Sequence, residues 1–248
     1  MTKMERRDRF AEIDLMRGVA LSLMIVFHLL WDLDYYGMKP LDKQTYQFAP
    51  MTAILFFLVV GISIMLSVEK KTVKQMIVRS LIILSIGCCI SVISLFVLPE
   101  KPVYFGVLHC IGISMIIGTA LRRLDIWTLS TLSVLTMILG MVIGMFHVPS
   151  SSNIMMIVGL HSNDLQTVDY FPLFPWLGIV LFGMALSRVL YKDGKRQFPF
   201  PDITRFLPTR FISWLGKHSL PVYILHQPAL SGLLVYIVPM VVRYIPHL

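Results

Sequence analysis

Residues 12–37 read EIDLMRGVALSLMIVFHLLWDLDYYG, an apolar stretch that follows a charged head, MTKMERRDRF. About 20 apolar residues in an α-helix cross the ~30 Å hydrocarbon core of a bilayer. The stretch is too long for the apolar part of a secretory signal and lacks a small-residue cleavage site. It therefore predicts a transmembrane helix that is retained in the protein.

The whole chain has the composition of a membrane protein. Of its 248 residues, 56% are hydrophobic and 15% are charged, and the mean hydropathy is +0.74. A soluble domain is roughly 45–50% apolar and about 25% charged. This difference excludes a soluble enzyme, a secreted disulfide scaffold and a disordered chain. Cys88, Cys89 and Cys110 lie in apolar runs, where we expect them to be small buried hydrophobic residues.

Further apolar segments predict an all-α membrane protein, a bundle of about seven transmembrane helices that forms one integral-membrane domain over residues 1–248. The segments are residues 14–36, 48–68, 76–98, 103–121, 126–146, 171–190 and 211–242. The last segment is overlong and contains Pro221, Pro228 and Pro239, so it predicts kinks or a re-entrant start.

The distribution of positive charge predicts the orientation. With a cytoplasmic N-terminus, 18 of the 22 Lys and Arg residues lie on the inner side, and only Lys39, Lys43, Lys101 and Arg243 lie outside. Cytoplasmic loops carry such an excess of positive residues. We therefore expect the C-terminus outside and a multi-pass protein of a cell membrane, with the prokaryotic cytoplasmic membrane as the favoured location.

The first predicted helix carries Asp14, Arg17, His28 and Asp32 among its ionisable residues. Asp14 and Arg17 are three residues apart and can pair on one helix face. His28 is eleven residues beyond Arg17, so at 100° per residue it lies on the same face, ~16 Å along the axis. Asp32 follows at i+4, from where it can orient the imidazole. Ionisable residues within the membrane are costly, and they indicate a functional site.

Two more histidines, His109 and His226, fall near the depth of His28 in the predicted bundle. Three histidines on three helices at one level predict one polar site. For each of them, hydrogen-bonded packing is the alternative interpretation. A metal or haem site is a weaker alternative, because nothing in the spacing supports it, and we expect no metal.

Four ordered blocks resemble the heparan-α-glucosaminide N-acetyltransferase catalytic-domain family. The first is the stretch around Arg17 and His28, which is also similar to the Arg-x10-His pattern of the wider acyltransferase-3 type of transmembrane acyltransferases. The others are VLHCIGIS around His109, DYFPLFPWLGIVLFGMAL from Asp169, and WLGKHSLPVYILHQPAL around His226.

The resemblance implies an acyl-CoA-dependent O- or N-acyltransferase that takes an acyl group, usually acetyl, from cytoplasmic acyl-CoA. The acceptor would be a hydroxyl or amine on the outer face, such as that of a glycan or a lipid-linked sugar. Acetyl-CoA is thus the expected co-substrate, with membrane lipids as neighbours and no nucleic acid as a partner. The seven predicted spans are fewer than in the lysosomal acetyltransferases, which leaves a minimal enzyme, a homodimer-completed site or a related fold with another role.

The candidate residues take roles in this reaction as a hypothesis. For the donor, CoA phosphates would meet Arg17, with Asp14, Arg122 and Arg123 as the other cofactor-binding residues. His28, oriented by Asp32, would be the general base, and an acetyl-histidine relay is the alternative. His109 and His226 complete the catalytic set by binding the acceptor or stabilising an oxyanion. The candidates for acceptor contact are Trp31, Asp169 and His161.

The same polar groups also suit a small-solute or proton-coupled transporter. Arg17 discriminates between the two functions, because a proton path needs no anion site at its inner mouth whereas acyl-CoA does. A non-catalytic assembly partner is the third interpretation, and it leaves the intramembrane His and Asp unexplained.

Overall fold

A computed structural model describes residues 10–42, 45, 47–146, 153–192, 194–202 and 206–237. Lys43, Pro239 and Arg243 of the sequence argument lie outside the described residues, as does the end of the last predicted span. The chain divides into two compact units, of which the first comprises Met1–Phe56 and Phe200–Leu248 and the second Phe57–Pro199. A single acyltransferase-like domain stays a prediction.

The described residues are mostly helical, as the sequence predicts. Five helices are long and apolar enough to cross a membrane: α1 (Ala11–Tyr35), α2 (Phe48–Val68), α3 (Val73–Val97), α5 (Ile126–Ile143) and α6 (Leu173–Leu190). A shorter apolar helix, α4, covers Val107–Leu121. The multi-pass membrane class is thereby confirmed, whereas the count of seven spans and the orientation of the termini stay predictions.

The last predicted span is divided into two helices, α7 (Leu207–Lys217) and α8 (Ser219–Gly232), with a π-helical turn at Leu233–Ile237. His218 separates them with a non-helical backbone, at φ −107° and ψ 28°. The break has a local cause, because a proline ring clashes with the carbonyl four residues earlier and Pro221 stands four residues after Lys217. The predicted kink is therefore observed as a complete interruption.

In the first unit, α1 packs against α7 with the two backbones in direct contact. A Cβ atom on Gly18 would overlap the carbonyl oxygen of Ile212, and a Cβ atom on Gly216 would overlap the carbonyl oxygen of Asp14. Small residues permit such close crossings between helices in membranes. Helix α8 follows the break and also contacts α1, so both halves of the broken segment pack on the first helix.

In the second unit, α6 packs against α5 and α4, and α3 packs against α4. The α5–α6 contact is close, since Ser133 Oγ donates a hydrogen bond of 2.7 Å to the carbonyl oxygen of Gly178. After α6 a two-residue hairpin pairs Tyr191–Lys192 (β1) with Lys195–Arg196 (β2). A 3-10 turn covers Asn153–Ile157, between the fifth and sixth predicted spans.

Candidate functional site

Helix α1 runs unbroken from Ala11 to Tyr35 and carries one set of candidate residues along its length. At its start, Arg17 Nη1 lies 3.1 Å from Asp14 Oδ1, as the i,i+3 spacing predicts. Asp14 is 1% exposed and the Arg17 side chain 21%. The guanidinium is therefore tied at one edge by a buried carboxylate and still partly accessible. Since the helix is continuous, the ~16 Å rise between Arg17 and His28 follows from its geometry.

His28 is brought into contact with His226. The two imidazole centroids are 4.8 Å apart with an interplanar angle of 60°. The break at His218 and the packing of α8 on α1 produce this contact, which joins residues far apart in sequence. Two of the three predicted histidines therefore meet within the first unit.

Asp32 does not play the role that the i+4 spacing suggests. Its Oδ1 accepts a hydrogen bond of 2.7 Å from Gln227 Nε2, and its Oδ2 has no partner among the described residues. The predicted hydrogen bond from the His28 imidazole to Asp32 is therefore wrong. The side-chain amide on α8 takes the carboxylate instead, and a buried carboxylate, here 1% exposed, requires such a donor.

The tautomer of neutral His226 follows from its surroundings. Its Nδ1 makes a short contact to the carbonyl oxygen of Tyr223. A carbonyl can only accept, so Nδ1 carries the proton and Nε2 presents a lone pair. Nε2 is buried and has no hydrogen-bond partner within the described part of the chain. The ring thus offers one basic nitrogen, the buried Nε2.

His109 belongs to the second unit and lies at the start of a helix. It is the third residue of α4, where its Nδ1 accepts from the Gly106 N–H at 3.3 Å. Its Nε2 is 3.5 Å from Ser91 Oγ. The side chain thus satisfies a backbone donor at the helix start, a packing role that the sequence argument held as the alternative. That His109 shares a polar layer with His28 and His226 stays a prediction.

Asp169 caps the same helix from a distant segment. Its Oδ2 accepts from the Val107 N–H at 3.2 Å, and the Phe171 N–H donates to the Phe105 carbonyl at 3.0 Å. A carboxylate is favoured at a helix N-terminus by the free N–H groups and the helix dipole. A Cβ atom at Gly106 would overlap the Asp169 carboxylate, so a larger residue there would displace this cap.

Burial raises the pKa of Asp169 to about 6, and the hydrogen bond from Val107 only partly opposes this. Burial likewise raises the pKa of the neighbouring Tyr170 to about 12, and its hydroxyl donates to the Met156 carbonyl at 2.8 Å. Asp169 therefore changes charge near neutral pH, whereas Tyr170 stays neutral there.

We expect Asp169 to make the protein less stable as pH rises from about 4 to about 6. In this range the folded protein holds a proton on Asp169 that the unfolded chain, with the ordinary pKa of 3.8, releases. The free energy of unfolding then falls as pH rises through the folded pKa, by at most ~3 kcal/mol for two pKa units. Reversible unfolding in detergent, measured across this range for wild type and Asp169→Asn, checks the prediction.

The asparagine variant is the matched control, since its carbonyl oxygen still accepts from the Val107 N–H and its side chain does not titrate. Subtracting its pH profile from that of the wild type isolates Asp169. A flat difference between pH 4 and 7 would contradict the prediction.

The remaining candidates each have a local contact. Trp31 stacks on Tyr35 at 5.1 Å with a 16° interplanar angle. His161 Nδ1 donates to the Ser162 carbonyl oxygen at 2.9 Å, and its ring meets Tyr170 edge-on at 5.3 Å. Arg122 Nη1 donates to the Thr119 carbonyl oxygen at 2.8 Å, at the C-terminal end of α4. Arg123 is exposed.

Among the described residues, no three His, Cys, Asp or Glu side chains form a group that could hold a metal ion.

Gln227 is a residue of this site that the sequence argument missed. It follows His226 directly in an apolar helix, and an amide in such a helix is a costly group that needs a partner. A side-chain amide within an apolar helix is therefore the sequence signal for Gln227. The partner, Asp32, is 195 residues away, and nothing in one sequence identifies it.

Apolar helices long enough to cross a bilayer, together with a match to a known transferase family, define the protein as a membrane acyltransferase. The family is described as heparan-alpha-glucosaminide N-acetyltransferase, catalytic, and the match covers residues 9–228. Since this is most of the 248 residues, the chain belongs to that family. No curated protein and no solved structure matches the chain.

Proposed function

We propose that the protein transfers an acetyl or other short acyl group from cytoplasmic acyl-CoA to a sugar-type acceptor on the outer face. The attacking group is a hydroxyl or an amine. The observation that carries the proposal is the contact between His28 and His226, which sets two imidazoles together on helix α1 and its partner α8. Family membership supports the class of reaction.

The donor is proposed to enter at the Arg17 end of α1. CoA carries several phosphate charges, and a guanidinium binds phosphate by charge-assisted hydrogen bonds. Asp14 holds Arg17 in place. That Arg122 and Arg123 also contact the cofactor stays a prediction. The distance of ~16 Å between Arg17 and His28 suits an extended pantetheine arm, which separates the phosphates of acyl-CoA from its thioester.

His28 is proposed as the general base. It removes the proton of the acceptor hydroxyl or amine as the acceptor atom attacks the thioester carbon. The new C–O or C–N bond forms, the C–S bond breaks, and the departing CoA thiolate takes the proton from the imidazolium. His226 lies against His28, and its Nε2 lone pair is proposed to hold the acceptor by accepting a hydrogen bond. The oxyanion role predicted for His226 does not fit, because its Nδ1–H is directed to the Tyr223 carbonyl. Transfer through an acetyl-histidine is the alternative route.

The other candidates keep narrower roles in the proposal. Asp32 contributes by holding Gln227, and therefore α8, against α1. Trp31 lies next to Asp32 on the same helix and is proposed to contact the acceptor ring. The roles of His109, Asp169 and His161 toward the acceptor stay predictions. A homodimer and a preference for particular lipids are likewise untested.

Acetyl-CoA binding to the purified full-length protein, measured by calorimetry, tests the donor side. We expect Arg17→Ala to weaken binding about 10- to 100-fold, the effect of losing one hydrogen bond to a charged group, ~1.5–3 kcal/mol. Lys101→Ala, a cation predicted on the opposite face, is the matched control and should bind acetyl-CoA like the wild type.

Two outcomes would contradict the proposal. Folded wild-type protein that fails to bind acetyl-CoA would remove the donor, and solute or proton flux in liposomes would then favour the transporter. Equal weakening by Arg17→Ala and Lys101→Ala would mean that binding follows general charge rather than the Arg17 end of α1.

A further inference from the structure

Three polar atoms around the α1–α8 contact are buried without a hydrogen-bond partner among the described residues. They are Asp32 Oδ2, Gln227 Oε1 and His226 Nε2. Most buried polar atoms in proteins are hydrogen-bonded, so each exception needs an explanation. His226 contacts His28 and Gln227 contacts Asp32, one turn further along α1, so all three atoms belong to the same α1–α8 contact and we group them as one cluster.

Gln227 and His226 each present an acceptor in this cluster. The hydrogen bond to Asp32 fixes the orientation of the Gln227 amide. A carboxylate accepts, so the amide nitrogen must face Asp32 and the amide oxygen must point elsewhere. His226 donates from Nδ1 to a carbonyl, which leaves the lone pair on Nε2. Asp32 Oδ2 adds a third acceptor while the carboxylate is ionised.

A cluster of acceptors is complementary to a ligand that supplies several donors. A water molecule can donate to two such atoms, and an acceptor substrate with adjacent hydroxyl or amine groups replaces that water by donating to both. The attacking hydroxyl or amine donates its own hydrogen bond to the histidine pair. Gln227 Oε1 then remains for a second donor on the same molecule.

We infer that Gln227 is a specificity-determining residue that recognises a second hydroxyl or amine beside the acylated group. The preferred acceptors are therefore vicinal diols or amino alcohols, such as those of a pyranose ring. Asp32 is the positioning residue, since it orients the amide. This inference rests on the proposed function and adds the feature of the acceptor that the site selects.

The test uses the full-length protein in nanodiscs with acetyl-CoA, methyl β-D-glucopyranoside and its monodeoxy derivatives. Wild-type kcat/KM should fall about 10- to 100-fold when the hydroxyl next to the acylated position is removed, because a buried carbonyl is then left unpaired. In Gln227→Leu the ratio between the parent and that deoxy acceptor should shrink to less than about 3-fold. The ratio is informative whatever the absolute rate of the variant.

Asp32→Asn is the second variant and covers the case in which Gln227→Leu does not fold. An asparagine amide can donate to or accept from Gln227, so the orientation of the amide is no longer fixed, and the same ratio should shrink. Gln197→Leu, in the hairpin where Gln197 Nε2 donates to the Lys195 carbonyl, is the matched control and should keep the wild-type ratio.

Thermal unfolding with each glycoside separates the two proposals. The parent glycoside could stabilise the wild type but not Gln227→Leu, while no acetyl-CoA is consumed. This result would support recognition by Gln227 and contradict the proposed acyl transfer. A second outcome is that the protein acylates the glycosides while the ratio of kcat/KM between the parent and the deoxy acceptor is the same in Gln227→Leu as in the wild type. That result would overturn this inference and leave the acyltransferase proposal standing. Wild-type protein that is neither stabilised by the glycosides nor able to acylate them would overturn the inference as well.

Discussion

His28→Ala is expected to lower the rate of acyl transfer by about 10²- to 10⁴-fold, the usual contribution of a general base. Binding of acetyl-CoA should be largely kept, because the anion site is proposed at Arg17, ~16 Å away along the same helix. Turnover and calorimetry on the same preparation separate the two effects. His218→Ala is the matched control, since this exposed histidine at the α7–α8 break contacts Trp214 and is outside the site.

The same experiment can be extended to a double-mutant cycle with His226. Because the two rings are in contact at 4.8 Å, their substitutions should not add. The double variant His28→Ala/His226→Ala should transfer about as slowly as the slower single variant. Additive losses would mean that the histidines act independently, and full activity in His28→Ala would exclude it as the base.

The second large effect is expected at the α1–α7 crossing. Gly18→Ala and Gly216→Ala should each destabilise the protein by about 3 kcal/mol or more, or prevent folding. In each case the added methyl group meets a backbone carbonyl of the other helix, which no side-chain rotation can move aside. The helices must then separate, and α8 and its contact to His28 move with them.

The free energy of unfolding, measured by detergent titration, checks this prediction. Gly232→Ala is the matched control, because a Cβ atom at this helical glycine would have no atom within 4 Å. Its stability should equal or slightly exceed that of the wild type, since alanine favours a helix more than glycine does. Wild-type stability in Gly18→Ala would mean that the crossing is looser than described.

The sequence predicts helices well where periodicity and composition are sufficient. The predicted segment 48–68 agrees with the observed Phe48–Val68, and α1 differs from its prediction mainly at the start. Helix α3 begins at Val73, earlier than residue 76, because Thr72 and Gln75 form a reciprocal capping box. That local signal, a Thr followed three residues later by Gln, is present in the sequence.

The site was only partly predictable, for a physical reason. The pair formed by Asp14 and Arg17 depends on spacing within one helix, which a sequence displays directly. The partner of Asp32 depends on which helix packs beside α1 and in what rotation, and apolar helices of similar composition do not specify that. The sequence therefore predicts His28, the nearest histidine on the same helix, as the partner of Asp32, whereas the observed partner is Gln227.

The Asp32–Gln227 hydrogen bond has a consequence for biosynthesis. Its two residues are 195 positions apart, and at about 5–20 residues per second the ribosome needs roughly 10–40 s to make the intervening chain. During that interval the first helix carries a carboxylate whose amide partner has not yet been synthesised. Chains that stop before α8 never gain that partner, so they keep a carboxylate on their first helix without its amide donor.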